Sequence, residues 1–103
     1  MTCRVRGCEN PVLGELEESA LCLDHFLEDI TERVRGFDRG LEDPSADESL
    51  RETALRFSML TAAKIATIGI HHPPEEQLAR GQLLNAMLLL ADLRDRLDRT
   101  TAQ

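Results

Sequence analysis

Hydrophobic positions in the first half of the chain follow the period of an α-helix. Apolar residues recur at alternating steps of four and three residues: Leu23, Leu27, Ile30, Val34, Phe37 and Leu41. This spacing predicts an amphipathic first helix with one apolar stripe facing a core. Gly36 weakens that helix, and Gly40 is a plausible place for it to end.

Two further helices are predicted downstream. Ser45 followed by Glu48 is a capping-box pattern, so a second helix is expected over residues 46–70. From Ala54 onward it is apolar almost all round, which is typical of a buried helix. A His-His-Pro-Pro segment at residues 71–74 ends it, and a third helix is expected from the prolines to about Asp98. The short link favours an antiparallel helical hairpin.

The third helix carries two apolar seams on different faces. One seam consists of Ala79, Leu83, Ala86, Leu90, Leu93 and Leu97, and the other of Leu84, Leu88 and Ala91. One seam can pack against the second helix, whereas the other needs a further partner. One amphipathic helix covers only part of the apolar surface of two broadly apolar helices. We therefore expect a homodimer that buries the remaining apolar surface in a bundle of four or more helices.

A group of metal-binding residue types lies near the start of the chain: Cys3, Cys8, Cys22 and His25. Their pattern is C-x4-C, thirteen intervening residues, then C-x2-H. Cys3His is a closed structural ligand set for Zn²⁺, with no position left for water. Cys22 and His25 are three residues apart, so they neighbour each other on one helical turn. We therefore expect one structural Zn²⁺ per chain.

The segment between the two ligand pairs can form two short strands, at residues 12–13 and 20–21. A loop, a hairpin and a helix that supplies the last two ligands resembles a treble-clef zinc finger, over about the first 36 residues. The commonest treble clef has a C-x2-C first pair and a fourth cysteine where His25 stands. Treble clefs serve nucleic-acid binding, protein docking and catalysis, so the resemblance implies a scaffold rather than a role.

The expected fold class is therefore mainly α. An N-terminal zinc-binding knuckle with a short β-hairpin precedes about three helices, of which the last two form the antiparallel hairpin. The zinc finger, with the start of the first helix, is expected at residues 1–36 and the helical bundle at residues 37–103, packed as one compact unit.

Composition narrows the class of partner and the compartment. The 103 residues carry a net charge of −7, and aromatic residues make up only 3%, which argues against phosphate-binding and base-stacking surfaces. The densest apolar run, residues 86–91, is too short to span a membrane. An odd number of cysteines and the lack of an apolar leader favour a reducing cytoplasmic location.

Other charged clusters are interpreted as solvated surface. His71 and His72, beside Glu75 and Glu76, are read as an interhelical turn in preference to a second metal site or a proton-transfer pair. Arg4 and Arg6 form a weak basic patch. The acidic run in the first helix is a solvated face or a docking surface for a basic partner: Asp24, Glu28, Asp29, Glu32 and Asp38.

These observations predict a small zinc-binding adaptor that acts by protein–protein contact, with a helical dimerisation surface and an unknown protein partner. The alternatives are a dimeric transcription regulator whose zinc finger binds DNA, and a thiol redox or metal sensor. An enzyme is not expected, because neither an open coordination position nor an acid–base pair is evident. Phe57, Met59, Met87 and Leu90 are interpreted as core residues rather than as a ligand pocket.

Overall fold

The computed structural model describes residues 1–101, with side chains up to residue 99, and this stretch contains three α-helices. They are α1 (Leu23–Glu42), α2 (Glu48–His71) and α3 (Gln77–Thr101), and a short 3₁₀ helix at Gly14–Leu16 precedes them. Glu48 and Arg51, early in α2, line the same cavity as Leu97 and Asp98, late in α3, so the two helices run antiparallel. The mainly α class is confirmed.

One side of the α2–α3 hairpin is covered by α1. The fully buried side chains come from every segment and include Leu16, Ile30, Ile68, Leu90 and Leu93. On α1 the buried side chains, Phe26, Leu27, Ile30 and Val34, belong to the predicted stripe or adjoin it. The molecule measures 44 × 27 × 19 Å. Its smallest dimension corresponds to about two helix diameters, as expected for one helix packed on a pair.

The predicted β-hairpin at residues 12–13 and 20–21 is wrong. Within residues 1–101, the structure contains one isolated β-bridge, between Thr2 and Pro11, and no strand pair at the predicted positions. The chain from residue 13 to residue 20 instead winds through the 3₁₀ helix and further turns. This path buries Leu16 completely, which two extended strands joined by a polar loop would not do.

The predicted cap of α2 is displaced by two residues. Asp47, not Ser45, is the N-cap, and its carboxylate accepts a hydrogen bond of 2.9 Å from the Leu50 N–H. Ser45 donates both its N–H and its hydroxyl to Asp43, at 2.9 and 2.8 Å. These two bonds lower the pKa of Asp43. The turn between the helices therefore uses the serine that the capping-box pattern assigned to the helix.

The other predicted boundaries are also shifted. α1 continues two residues past Gly40, and a Cβ at that position would lie 3.0 Å from Leu50 Cδ2, so this glycine permits a close approach between α1 and α2. α3 begins at Gln77 rather than at the prolines. Arg80 binds the carbonyls of Pro74 and Glu75 ahead of the helix.

The two seams of α3 separate as the pattern predicts. Most of the first seam is buried: Leu83, Ala86, Leu90, Leu93 and Leu97. The second seam is exposed, with Leu84 at 61% and Leu88 at 59% of their full accessibility. Met59 is 49% exposed, so its assignment to the core is wrong.

These exposed side chains lie in or beside a groove between α2 and α3. Met59, Ala62, Met87 and Ala91 line it, and Leu84 and Leu88 lie on the same side of α3 because they precede Ala91 by seven and three residues. We call this surface the open face: Met59, Ala62, Leu84, Met87, Leu88 and Ala91.

Candidate metal centre

The first two sulfur atoms lie on a tight turn at the start of the chain. Cys8 N–H donates to the Val5 carbonyl at 3.0 Å, which closes a four-residue turn with Gly7 at φ +83°. That backbone conformation is strained for any residue with a Cβ. Cys3 N–H in turn donates to the Asn10 carbonyl at 3.0 Å. Gly7 thus lets the chain reverse so that Cys3 and Cys8 face the same point.

The other two side chains come from the start of α1. Cys22 is the N-cap residue, but its side chain makes no capping hydrogen bond. His25 follows in the first turn, on the same face as Cys22. The free N–H groups at this helix end and the helix dipole favour negative charge nearby, which suits thiolate ligands.

The segment between the two pairs returns the chain to the cluster. Ala20 takes up a left-handed conformation at φ 57°, and its carbonyl accepts a hydrogen bond of 2.8 Å from Arg4 N–H. The Arg4 guanidinium donates to the Ser19 carbonyl at 2.9 Å. Arg4 therefore stabilises the loop around the cluster, which leaves less of the weak basic patch available to a partner.

The four side chains meet as the sequence predicts. One ligand atom from each of Cys3, Cys8, Cys22 and His25 lies within 4.8 Å of the others. Cys8 Sγ and Cys22 Sγ are 3.9 Å apart, and His25 Nδ1 lies 3.2 Å from Cys22 Sγ and 3.4 Å from Cys3 Sγ.

These distances match the edges of a tetrahedral site. Bonds of about 2.3 Å to sulfur and about 2.0 Å to nitrogen place two sulfurs about 3.8 Å apart, and a sulfur and a nitrogen about 3.5 Å apart. The group could therefore hold one metal ion.

Burial and hydrogen bonding act in opposite directions on the Cys3 thiol. Burial raises its pKa, but hydrogen bonds from the Cys22 and Val5 backbone N–H groups, and from the His25 and Cys22 side chains, outweigh it and lower the pKa to about 6. For Cys8, the Asn10 N–H lowers the pKa, but burial and the neighbouring Cys3 and Cys22 thiols have the larger combined effect and raise it above its ordinary value. Three thiols this close disfavour simultaneous ionisation unless a cation joins them.

Comparison with known protein families, curated proteins and solved structures finds no match to this chain. The treble-clef resemblance therefore rests on the ligand order and on the helix that carries Cys22 and His25. In the described part of the chain, no helix is long and apolar enough to cross a bilayer.

The histidine pair contacts a residue that the sequence analysis did not assign to it. His71 Nδ1 lies 2.9 Å from Glu15 Oε1, and His72 Nε2 lies 3.1 Å from Glu15 Oε2. Glu15 is 56 residues away from His71 in sequence, so no local pattern indicates the contact. Across residues 1–101, the Cys3His cluster is the one group of three or more metal-binding side chains close enough to share an ion.

Proposed function

We propose that this chain is a small zinc-binding adaptor protein, in which a structural Zn²⁺ holds residues 1–25 in place and the open face makes a protein–protein contact. The observation that carries the zinc assignment is the convergence of three sulfurs and one imidazole nitrogen at tetrahedral spacing. Thiolate and imidazole together select zinc over the oxygen-seeking cations Ca²⁺ and Mg²⁺.

A structural role follows from the donor set. Four protein atoms fill a tetrahedral site, so no position remains for a substrate or an activated water. Cys3 and Cys22 are 6% and 2% exposed, which hinders the thiol exchange that a redox sensor requires. Metal binding also fixes a segment with few buried apolar side chains of its own, so its free energy contributes to folding.

The test is the zinc content of freshly reduced protein by native mass spectrometry. We expect one zinc ion per chain and its loss in the His25→Ala variant. The neighbouring Asp24→Ala variant is the matched control, because Asp24 is exposed in the same helical turn but lies outside the cluster. Retention of stoichiometric zinc by His25→Ala would contradict the ligand assignment.

The contact proposed for the open face is a second copy of this chain. On α3 its residues Leu84, Leu88 and Ala91 follow steps of four and three, the spacing through which helices of a four-helix bundle pack. Lys64 is the only charged residue of α2 between residues 57 and 70 and does not line the groove, whereas Arg94, Asp95 and Asp98 of α3 line it beyond Ala91. A two-fold arrangement would bury this surface against itself.

Sedimentation equilibrium of two leucine variants tests this contact. We expect the unmodified chain to be a dimer and Leu84→Glu to be a monomer with unchanged helix content. Leu78→Glu is the control: Leu78 is also exposed, at 72%, but lies six residues earlier, about a third of a turn around α3. A monomeric unmodified chain would refute the homodimer and leave the zinc assignment standing.

A further inference from the structure

The Glu15 carboxylate joins two distant parts of the fold. Glu15 belongs to the 3₁₀ helix between the two ligand pairs, whereas His71 ends α2 and His72 follows it. Both histidine side chains lie within hydrogen-bonding distance of the carboxylate, at 2.9 to 3.2 Å. Its side chain is 20% exposed, against 60% for His71 and 43% for His72, so both histidines are in contact with solvent.

No other charged side chain contacts this carboxylate among the described residues. On its own segment, the nearby Glu17 and Glu18 are exposed. On the opposite side, Lys64 lies about two helical turns before His71. Beyond the histidines, Glu75 and Glu76 are exposed and Arg80 is engaged with backbone carbonyls. The charge of the two imidazoles therefore decides the strength of the contact.

The carboxylate remains ionised across the neutral range. The hydrogen bond from His71 is the largest of the effects that lower the pKa of Glu15 to about 2. Histidine side chains in general change charge near pH 6.5. When both imidazoles are protonated, they face one carboxylate in charge-assisted hydrogen bonds; when they are neutral, the same hydrogen bonds are weaker.

We propose that Glu15, His71 and His72 form a proton-dependent latch, which couples the metal-binding segment to the corner between α2 and α3. This inference rests on the proposed zinc site. Residues 14–16 lie between Cys8 and Cys22, so metal binding fixes the segment that presents Glu15 to the histidines.

Coupling of this kind is reciprocal. Whatever stabilises the latched arrangement also favours the metal-bound segment, so protonation of the histidines strengthens metal binding. Metal affinity otherwise falls in acid because thiols must lose their protons. The latch opposes that trend over the range of pH in which histidine side chains in general change charge.

The experiment compares zinc affinities, measured by competition with a chromophoric chelator, at about pH 6 and about pH 8. Glu15→Gln keeps the size of the side chain and removes its charge, and Glu18→Gln is the control for a charge change on the same segment. We expect Glu15→Gln to weaken zinc binding about threefold at the lower pH and less than about 1.5-fold at the higher pH, in keeping with partly exposed ion pairs. Glu18→Gln is expected to match the unmodified chain at both.

A second variant separates the latch from simple packing. The double variant His71→Gln with His72→Gln retains hydrogen-bond donors but cannot gain a charge. We therefore expect the ratio of its zinc affinity to that of Glu15→Gln to be the same at both pH values. An equal loss for Glu15→Gln at the two pH values, or no loss, would overturn the proposal. If the unmodified chain binds no zinc, the zinc assignment fails separately, and the pH dependence of thermal unfolding of the same variants tests the latch alone.

Discussion

Substitution of Gly7 by alanine tests whether the turn between Cys3 and Cys8 shapes the metal site. A Cβ at Gly7 would have no heavy atom within 4 Å outside its chain neighbours, so the substitution introduces no clash. The whole cost is backbone strain, because Gly7 adopts φ +83°. For a residue with a Cβ, that conformation costs about 1 kcal/mol or slightly more.

This strain should appear in the zinc affinity. If the turn is formed only when the metal is bound, the full cost enters the binding free energy. About 1 kcal/mol then corresponds to roughly fivefold weaker binding. The measurement is competition between Gly7→Ala and a chelator of known affinity, at one pH and under reducing conditions.

Gly14→Ala is the matched control for this measurement. Gly14 also has open space around its Cβ position, but its φ lies outside the left-handed region. Alanine there restricts the unfolded chain without strain, so we expect unchanged or slightly tighter binding. Equal affinities for the two variants would refute the role assigned to the Gly7 turn.

Three further predictions concern the stability of the fold. Asp47→Ala should lower the free energy of unfolding by about 1 kcal/mol, as expected for the loss of an N-cap, and by more than Ser45→Ala does in urea denaturation. A larger loss for Ser45→Ala would instead identify Ser45 as the N-cap, as the capping-box pattern predicts. Leu16→Ala should cost about 2 to 5 kcal/mol, since Leu16 is fully buried, and calorimetry showing under about 1 kcal/mol would contradict its place in the core. The folded-state pKa of Glu15, about 2, lies below its ordinary 4.5, so its stabilising contribution is present above pH 4.5 and is lost as the pH falls from 4.5 towards 2. The difference in unfolding free energy between the unmodified chain and Glu15→Gln should shrink over that interval, and a constant difference would contradict the ion-pair assignment.

Residue type and spacing were sufficient to predict the cluster of three cysteines and one histidine, and the three helices. Cys22 and His25 neighbour each other because a helix repeats every 3.6 residues, which is a property of local sequence. The same period separated the buried Leu83 and Leu90 from the exposed Leu84 and Leu88. Strong periodicity over long segments was therefore enough to predict the mainly α fold class.

Positions decided by long-range contacts could not be predicted in this way. The path between the ligand pairs depends on the burial of Leu16 and on a left-handed Ala20, and neither has a periodic signature. At the start of α2, Ser45 is hydrogen-bonded to Asp43, and Asp47 is the N-cap instead. The contact of Glu15 with His71 arises only once α2 packs against the 3₁₀ helix.

X-ray absorption at the zinc edge tests the central claim most directly, because it counts the atoms bound to the ion. For reduced protein loaded with one equivalent of zinc, we expect three sulfurs at about 2.3 Å and one nitrogen at about 2.0 Å. A first shell dominated by oxygen, or one with fewer than three sulfurs, would contradict a Cys3His centre formed by Cys3, Cys8, Cys22 and His25.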